Sequence, residues 1–203
     1  MNHLKSLEEL FVKFPGIGPK QARRFVYFLL TKDESYLKEL SSLIETLKRD
    51  VVACISCMKI FPKDMAHSNI CEICRDESRS KNILMLVARD MDLEHIEKTG
   101  VYNGLYFVLG GTIPILDKDP EKRIRIKKLI DHMSTYEGIE EIILAMNATP
   151  EGEHTMKYLS DILAPLVEKK HLKISYLGRG LSTGTELEYS DKETLKNALE
   201  RRT

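Results

Sequence analysis

Four cysteines, arranged as two close pairs, carry the clearest chemistry in this 203-residue chain. Two residues separate Cys54 from Cys57 and Cys71 from Cys74, and thirteen residues lie between the pairs. Two such pairs can converge on one tetrahedral ion, and four thiolates form a closed zinc site with no position for a catalytic water. The spacing therefore predicts one structural zinc ion per chain, which holds shape and does not react.

A redox dithiol and disulfide bonds are the competing interpretations of the cysteines. We expect a reducing compartment, in which two Cys-x-x-Cys pairs favour a metal site over disulfides. His67 lies between the pairs and is an alternative ligand, although the presence of four cysteines favours a surface position for it.

Four carboxylates form a second group with chemical potential. Asp90 and Asp92 follow one apolar run and Glu151 and Glu153 follow another, so a parallel sheet would bring them to the same edge. There they could hold a divalent cation such as magnesium for phosphoryl chemistry. The structural alternative is that they cap helices, because acidic side chains are favoured in a helix's first turn.

A glycine-rich turn with the sequence FPGIGPK, at 14–20, predicts a phosphate contact near the N-terminus. Gly16 and Gly18 allow positive φ or the close approach of another backbone, and Pro19 suits the first turn of a helix. Backbone amides at such a helix start favour a phosphate oxygen, and cations there oppose the helix dipole unless a polyanion compensates them. A plain turn between helices is the alternative, but three cations follow within about one turn: Lys20, Arg23 and Arg24.

Two patterns along the chain indicate the elements that must position these groups. Apolar residues recur at helical spacing up to about residue 52, which predicts three or four short helices interrupted by the glycine turn. Farther on, short apolar runs alternate with helical segments, which predicts a mostly parallel sheet covered on both faces. The predicted strands are 83–88, 105–109, 141–146 and 172–177, and the helical segments are 92–99, 120–135 and 151–169.

Composition and charge limit the function classes. Apolar residues make up 42% and charged residues 31% of the chain, as in globular proteins, and no run approaches the length of a membrane span. The N-terminus lacks the apolar core of a secretory signal, so we expect a cytoplasmic protein. The formal net charge is zero, yet residues 1–32 hold six lysines and arginines against two glutamates, which indicates a polyanion-binding end.

From end to end, the sequence resembles the bacterial recombination mediator family RecR. The segment FPGIGPK matches a helix-hairpin-helix motif, the cysteines match a zinc finger, and YNGLYFVLGGTIPILD, NATPEGEHT and GRGLSTGTELEYSD resemble that family's signatures. The resemblance implies an α/β protein with a Toprim-type, mostly parallel sheet flanked by helices. Its four parts would be a helix-hairpin-helix DNA-binding region at 1–52, a zinc finger at 53–76, a Toprim domain at 80–177, and a Gly-rich loop, strand and helix at 178–203.

The resemblance also implies partners and a mode of action. RecR proteins act with RecO, and in some settings RecF, to load RecA onto single-stranded DNA, and they assemble as ring-shaped dimers or tetramers. Several hairpins in one ring would multiply a weak, sequence-independent DNA contact. The residues that would make that contact are Gly16, Gly18, Lys20, Arg23 and Arg24. The residues that would face a partner protein, or bind magnesium weakly, are Asp90, Asp92, Glu151 and Glu153.

Departures from the family pattern bear on catalysis. Catalytic Toprim domains end their first strand with a proton-transferring glutamate, but Ala88 stands at the matching position, and Glu151-Gly152-Glu153 replaces an Asp-x-Asp metal pair. We therefore expect a protein that is not an enzyme. A magnesium-dependent, Toprim-type DNA-cleaving enzyme is the alternative, and a zinc-stabilised protein-interaction module without DNA contact is a third hypothesis. In the tail, Thr185 stands where a second glycine is common.

Overall fold

The structure is a computed structural model that describes residues 3–63, 69–178, 180, 181, 184 and 186–200. The chain divides into two units, Met1–Val52 and Ala53–Thr203. Among the residues described, no helix has both the length and the apolar character needed to cross a bilayer.

The first unit consists of three helices, as the apolar spacing predicts. The ring of Phe11 packs edge-on against Phe14 and Phe25, with centroids 5.7 and 5.6 Å away, and so joins the first helix to the second. The third helix begins where the Asp33 carboxylate accepts a hydrogen bond from Tyr36 N at 2.9 Å. The helices are α1 (His3–Val12), α2 (Pro19–Leu30) and α3 (Glu34–Thr46).

The hydrophobic core of this unit is small. Ala22 and Val26, both on α2, are the only apolar side chains buried among its described residues. Burial of apolar area is the main favourable term in folding, so three helices with this little of it gain little stability by themselves. Larger apolar side chains are instead exposed on every helix, including Leu10, Tyr27, Phe28, Leu30, Leu43, Ile44 and Leu47.

The four cysteines lie in or beside short elements of the second unit. β1 (Val51–Ala53) spans the boundary between the two units, β2 (Ile60–Pro62) pairs with it, and α4 (Glu72–Arg75) follows. The turn that holds the first cysteine pair is closed by two backbone hydrogen bonds, from Cys54 N to Lys59 O at 2.8 Å and from Met58 N to Cys54 O at 3.0 Å.

A four-stranded parallel sheet forms the main core, which confirms the predicted α/β fold. Its strand order is β4-β3-β5-β6, and Leu84 in the register of β3 lies opposite Leu105 of β4 and Ile142 of β5. The two central strands are almost wholly apolar because helices cover them. The elements are β3 (Ile83–Val87), α5 (Asp90–Thr99), β4 (Leu105–Val108), α6 (Ile126–Thr135), β5 (Glu141–Ala145), α7 (Pro150–Lys170), β6 (Lys173–Tyr176) and α8 (Lys192–Glu200).

The predicted helix at 120–135 is shorter than the sequence pattern indicates. A single turn of 3-10 helix spans Pro120–Lys122, and α6 begins only at Ile126. The chain is not helical at Arg125, since its amide donates to Leu109 O at 2.8 Å, just beyond β4. A tertiary hydrogen bond therefore replaces the helical one at this position.

The strand expected in the C-terminal tail is also different in the structure. Leu187–Tyr189 forms one turn of 3-10 helix before α8. A strand without a partner strand gains no interstrand hydrogen bonds, whereas Tyr189 N and Ser190 N here donate locally to Glu186 O and Leu187 O, both at 3.1 Å. The predicted C-terminal helix is present as α8.

Candidate nucleic-acid interface and metal centre

The turn between α1 and α2 holds its two glycines in different conformations. Gly16 has a φ of +77°, in the left-handed region that disfavours a side chain, so the turn itself requires glycine there. Gly18 has φ −86° and ψ 171°, which any residue adopts, and it is the N-cap of α2. A Cβ atom added at Gly18 would meet nothing within 4 Å. The fold of the unit therefore gives no reason for glycine at 18.

The start of α2 leaves two backbone donors without an acceptor among the described residues. Gln21 N and Ala22 N both donate to Gly18 O, at 3.0 and 2.9 Å, and no side chain caps the helix. Pro19 has no N–H, and the Lys20 amide precedes the first intrahelical hydrogen bond. Among the described residues, the amides of Gly18 and Lys20 have no acceptor within the hairpin, which is the arrangement that a phosphate contact needs.

Three cations stand on α2 beside these amides. Lys20, Arg23 and Arg24 are exposed, and their spacing of three and four residues places them on neighbouring turns of one face. Arg23 Nε also pairs with Glu8 Oε1 of α1 at 3.2 Å, a contact that the sequence pattern does not indicate. Exposed ion pairs contribute about 0–1 kcal/mol, so a phosphate can compete with Glu8 for this arginine.

The four cysteines converge on one point. The sulfur atoms of Cys54, Cys57, Cys71 and Cys74 all lie within 4.8 Å of one another. Tetrahedral zinc, with Zn–S bonds of about 2.3 Å, places its sulfur ligands about 3.8 Å apart, so this donor set fits that ion. Within the described part of the chain, no other group of three or more His, Cys, Asp or Glu residues could hold a metal. His67 lies outside the described residues.

The surroundings of the sulfur atoms suit a metal-bound thiolate. Lys59 N donates to Cys57 Sγ at 3.5 Å and Cys71 N donates to Cys54 Sγ at 3.4 Å. The hydrogen bond between Cys57 and Cys54 lowers the pKa of the Cys54 thiol and raises that of Cys57. Four thiols this close share their protons, and a cation would take the place of those protons.

Backbone hydrogen bonds join the first cysteine pair to the parallel sheet. Val108 N, at the end of β4, donates to Cys57 O at 2.8 Å. The Arg125 guanidinium donates from one nitrogen to both Met58 O and Val108 O, each at 3.1 Å. Sequence reasoning missed these three hydrogen bonds, because each joins residues that are well separated in the chain.

Asp90 and Asp92 lie in the first turn of α5, and both accept backbone hydrogen bonds. Asp92 Oδ2 accepts from Arg89 N at 2.9 Å, as a helix-capping carboxylate does. Asp90 Oδ1 accepts from Ile60 N of β2 at 2.7 Å. The sequence predicts either a magnesium ligand or a helix cap at Asp90, and neither role includes this bond to β2, the strand that follows the Cys54–Cys57 turn.

Glu151 and Glu153 are exposed in the first turn of α7, at the same sheet edge as the two aspartates. Thr149 caps this helix by accepting from Gly152 N at 3.1 Å. Gly152 packs against the preceding turn so closely that a Cβ atom would lie 2.0 Å from Asn147 O. The four acids share an edge, yet they are not among the described groups close enough to hold one metal ion.

Ala88, at the position where a catalytic carboxylate is expected, directly follows β3 in a buried site. It is 2% exposed, and its carbonyl accepts from Gly110 N at 2.9 Å. The site therefore offers an apolar methyl group and no proton-transfer group. In the tail, Asp191 accepts from Thr194 N at 3.0 Å before α8, and Thr185 lies outside the described residues.

Comparison with known proteins gives matches along most of the chain. Three family models match: "RecR, helix-hairpin-helix" at residues 4–48, "Toprim domain" at 82–178 and "RecR, C-terminal" at 180–203. The chain is 35% identical to "Recombination protein RecR" of Lactobacillus johnsonii over 193 residues, covering 95% of this chain and 92% of that protein. It is 38% identical to the protein of that name from Dehalococcoides mccartyi, covering 94% and 88%. It is 36% identical to the one from Prochlorococcus marinus, covering 100% and 98%.

Proposed function

Because the chain belongs to the RecR family of recombination proteins, we propose that it mediates recombinational DNA repair by binding DNA through the hairpin between α1 and α2. In this role it acts in the cytoplasm with RecO, and in some settings RecF, to load RecA onto single-stranded DNA. Contact is with phosphates and not with bases, so binding is independent of sequence and weakened by salt.

The observation that carries the DNA contact is the combination of an open glycine with the amides at the start of α2 and cations. Gly18 leaves open space beside its Cα atom at the start of α2, where a phosphate oxygen can approach the backbone. The exposed side chains of Lys20, Arg23 and Arg24 stand next to that position. The helix dipole and the cations then both favour the same anion.

We propose that several copies of the chain form a ring, as a dimer or tetramer. The support is the large apolar surface that α1, α2 and α3 leave exposed within a unit of small core. A second copy would cover this surface. Joining several hairpins would also raise the effective concentration of DNA contacts, which a single hairpin with few cations lacks.

The proposal includes no catalysis. Ala88 supplies no proton-transfer group, and Asp90 and Asp92 already accept backbone hydrogen bonds. The acidic edge, in which Glu151 and Glu153 are the exposed members, serves as a docking surface for a basic partner protein and binds magnesium only weakly. An enzyme that cleaves DNA would need a converging metal set in place of these separated acids.

The remaining parts of the chain have supporting roles in this proposal. Residues 1–52 contact DNA, 53–76 form a zinc finger, 80–177 form the Toprim domain, and 178–203 form the C-terminal segment. The four cysteines hold one zinc ion, which supplies folding energy in place of a hydrophobic core and takes no part in a reaction.

A DNA-retention experiment across a salt series tests the proposal. The triple variant Lys20→Ala, Arg23→Ala and Arg24→Ala removes the proposed contacts. Each phosphate contact contributes about 0.9 to the slope of log affinity against log salt on duplex DNA and about 0.7 on single strands. The variant loses two to three contacts, so the magnitude of its slope should be smaller by two to three times that amount. Retention at physiological salt is lost.

A matched control removes three cations from elsewhere in the same unit, Lys38→Ala, Lys48→Ala and Arg49→Ala, which are also exposed. This variant keeps its retention if the hairpin is the contact. Equal retention by the two variants, with the same salt slope, contradicts the proposal. The same samples with Mg²⁺ should leave labelled DNA intact; cleavage that disappears in a Glu151→Ala and Glu153→Ala variant identifies an enzyme instead.

A further inference from the structure

Asp90 makes a hydrogen bond that joins α5, beside the parallel sheet, to the β1–β2 segment that carries Cys54 and Cys57 (the cysteine hairpin). Its Oδ1 atom accepts from Ile60 N at 2.7 Å, across thirty residues of sequence. The carboxylate is half-buried in the first turn of α5, a helix that follows directly from the buried strand β3. The acceptor therefore stands on a rigid part of the second unit.

The amide that Asp90 holds belongs to the peptide group between Lys59 and Ile60. The carbonyl of the same peptide group accepts from Cys54 N at 2.8 Å. The amide one residue earlier, Lys59 N, donates to Cys57 Sγ at 3.5 Å. This peptide plane is thus fixed at both ends, by Asp90 at its N–H and by Cys54 at its C=O, and linked hydrogen bonds of this kind polarise one another.

We propose that Asp90 is a positioning residue for the four-cysteine metal centre. By orienting the peptide between residues 59 and 60, it sets the direction of the hairpin that carries Cys54 and Cys57. Outer-shell hydrogen bonds of this kind fix ligands in place before a metal binds, and their loss costs about 10- to 100-fold in metal affinity. Asp90 thereby connects the metal site to the acidic edge of the sheet. This role differs from the magnesium ligand and the helix cap that the sequence predicts for its carboxylate.

Zinc release from the full-length, zinc-loaded protein tests this role without DNA or any partner. Zinc content is measured first, and release to a chromogenic chelator is then followed by absorbance. Asp90→Ala should release zinc about ten times faster or more, since the Ile60 amide loses its acceptor. Asp90→Asn keeps an oxygen at the same position and should release zinc at nearly the wild-type rate.

Asp92→Ala is the matched control, because it removes a carboxylate and a backbone acceptor from the same helix turn without touching the hairpin. Zinc release at the wild-type rate in Asp92→Ala, with faster release in Asp90→Ala, supports the proposal. Equal acceleration in both variants means general destabilisation of α5 and overturns it, as does an unchanged rate in Asp90→Ala.

Asp90→Glu provides a second variant should Asp90→Ala not fold. It keeps the charge in the first turn of α5 but moves the acceptor oxygen by one methylene group. Release faster than in Asp90→Asn supports a role for acceptor position. Release no faster than in Asp90→Asn means that the position of the acceptor does not matter and overturns the proposal.

Discussion

At the scale of single residues, the two glycines of the hairpin have separate reasons to be glycine. The left-handed φ of +77° explains Gly16 within the chain. Gly18 has an extended backbone and open space around its Cα atom, so the fold does not explain it, and our proposal assigns it to the approach of a phosphate. The two positions can therefore be told apart by experiment.

Substituting each glycine by alanine should separate folding from binding. Gly16→Ala forces a side chain into the left-handed region, so the free energy of unfolding falls by about 1–2 kcal/mol. Gly18→Ala meets no neighbour and needs no change of backbone, so the weaker N-cap is largely offset by the lower entropy of the unfolded chain and stability should change by less than about 1 kcal/mol. DNA affinity should nevertheless fall in Gly18→Ala, because a methyl group occupies the phosphate's approach.

Thermal melting and DNA retention measured on the same preparations check this pair. Gly18→Ala should melt close to the wild type and retain less DNA. A Gly18→Ala protein with unchanged DNA affinity would show that no ligand backbone approaches this position, and the proposed contact would have to move elsewhere on α2.

Sequence reasoning at the residue scale works for patterns that are local. The Cys-x-x-Cys spacing is a local pattern, and the four sulfur atoms do converge. The pairing of Arg23 with Glu8 depends on how α1 packs against α2, and the bond from Asp90 to Ile60 depends on where β2 lies beside α5. No periodicity or spacing encodes such tertiary contacts, so the sequence left them unidentified.

At the scale of elements, one buried threonine fixes α7 to the loop that follows β4. Thr155 is fully buried; its hydroxyl accepts from Ile113 N at 2.8 Å and donates to Glu151 O at 2.6 Å. Without that hydroxyl the amide of Ile113 has no acceptor in a site that excludes water. The start of α7, which carries the exposed glutamates, is held in place by this contact.

Thr155→Val keeps the shape of the side chain and removes the hydroxyl. Leaving a buried donor unsatisfied costs about 1–3 kcal/mol, so the free energy of unfolding should fall by that amount. Thr155→Ser is the control, because it keeps the hydroxyl and loses only a methyl group. Urea denaturation measures both; a serine variant that is as unstable as the valine variant would assign the effect to packing.

Some of the predicted elements are confirmed and others are wrong in part, as with the predicted residues. Continuous apolar runs identified all four strands of the parallel sheet, and the signal is strongest in β3, β4 and β5, where burial selects apolar residues. The helix predicted at 120–135 and the strand predicted near Leu187 were both wrong in part. In each case a hydrogen bond decided the local structure, at Arg125 to a distant carbonyl and at Tyr189 within a tight turn.

At the scale of the whole molecule, the main unexplained property of the first unit is its exposed apolar surface. Leu43 and Ile44 on α3 and Leu47 at its C-cap are 60%, 64% and 62% exposed. Contiguous helical positions of this kind would be the core-facing stripe of an ordinary helix. Their exposure in one copy of the chain is the reason to expect that a second copy covers them.

Replacing Leu43 and Ile44 by lysine should therefore lower the solution mass of the assembly, because burial of two cations at an interface is costly. The added positive charge alone would strengthen DNA binding, so a fall in DNA retention despite that charge would show that affinity depends on the number of linked hairpins. Light scattering gives the mass, with and without DNA.

Val101→Lys is the control: Val101 is 85% exposed in the second unit, and its variant should keep the wild-type mass. An unchanged mass in the double variant would mean that α3 is not the interface, and the ring would need another surface to hold its copies together.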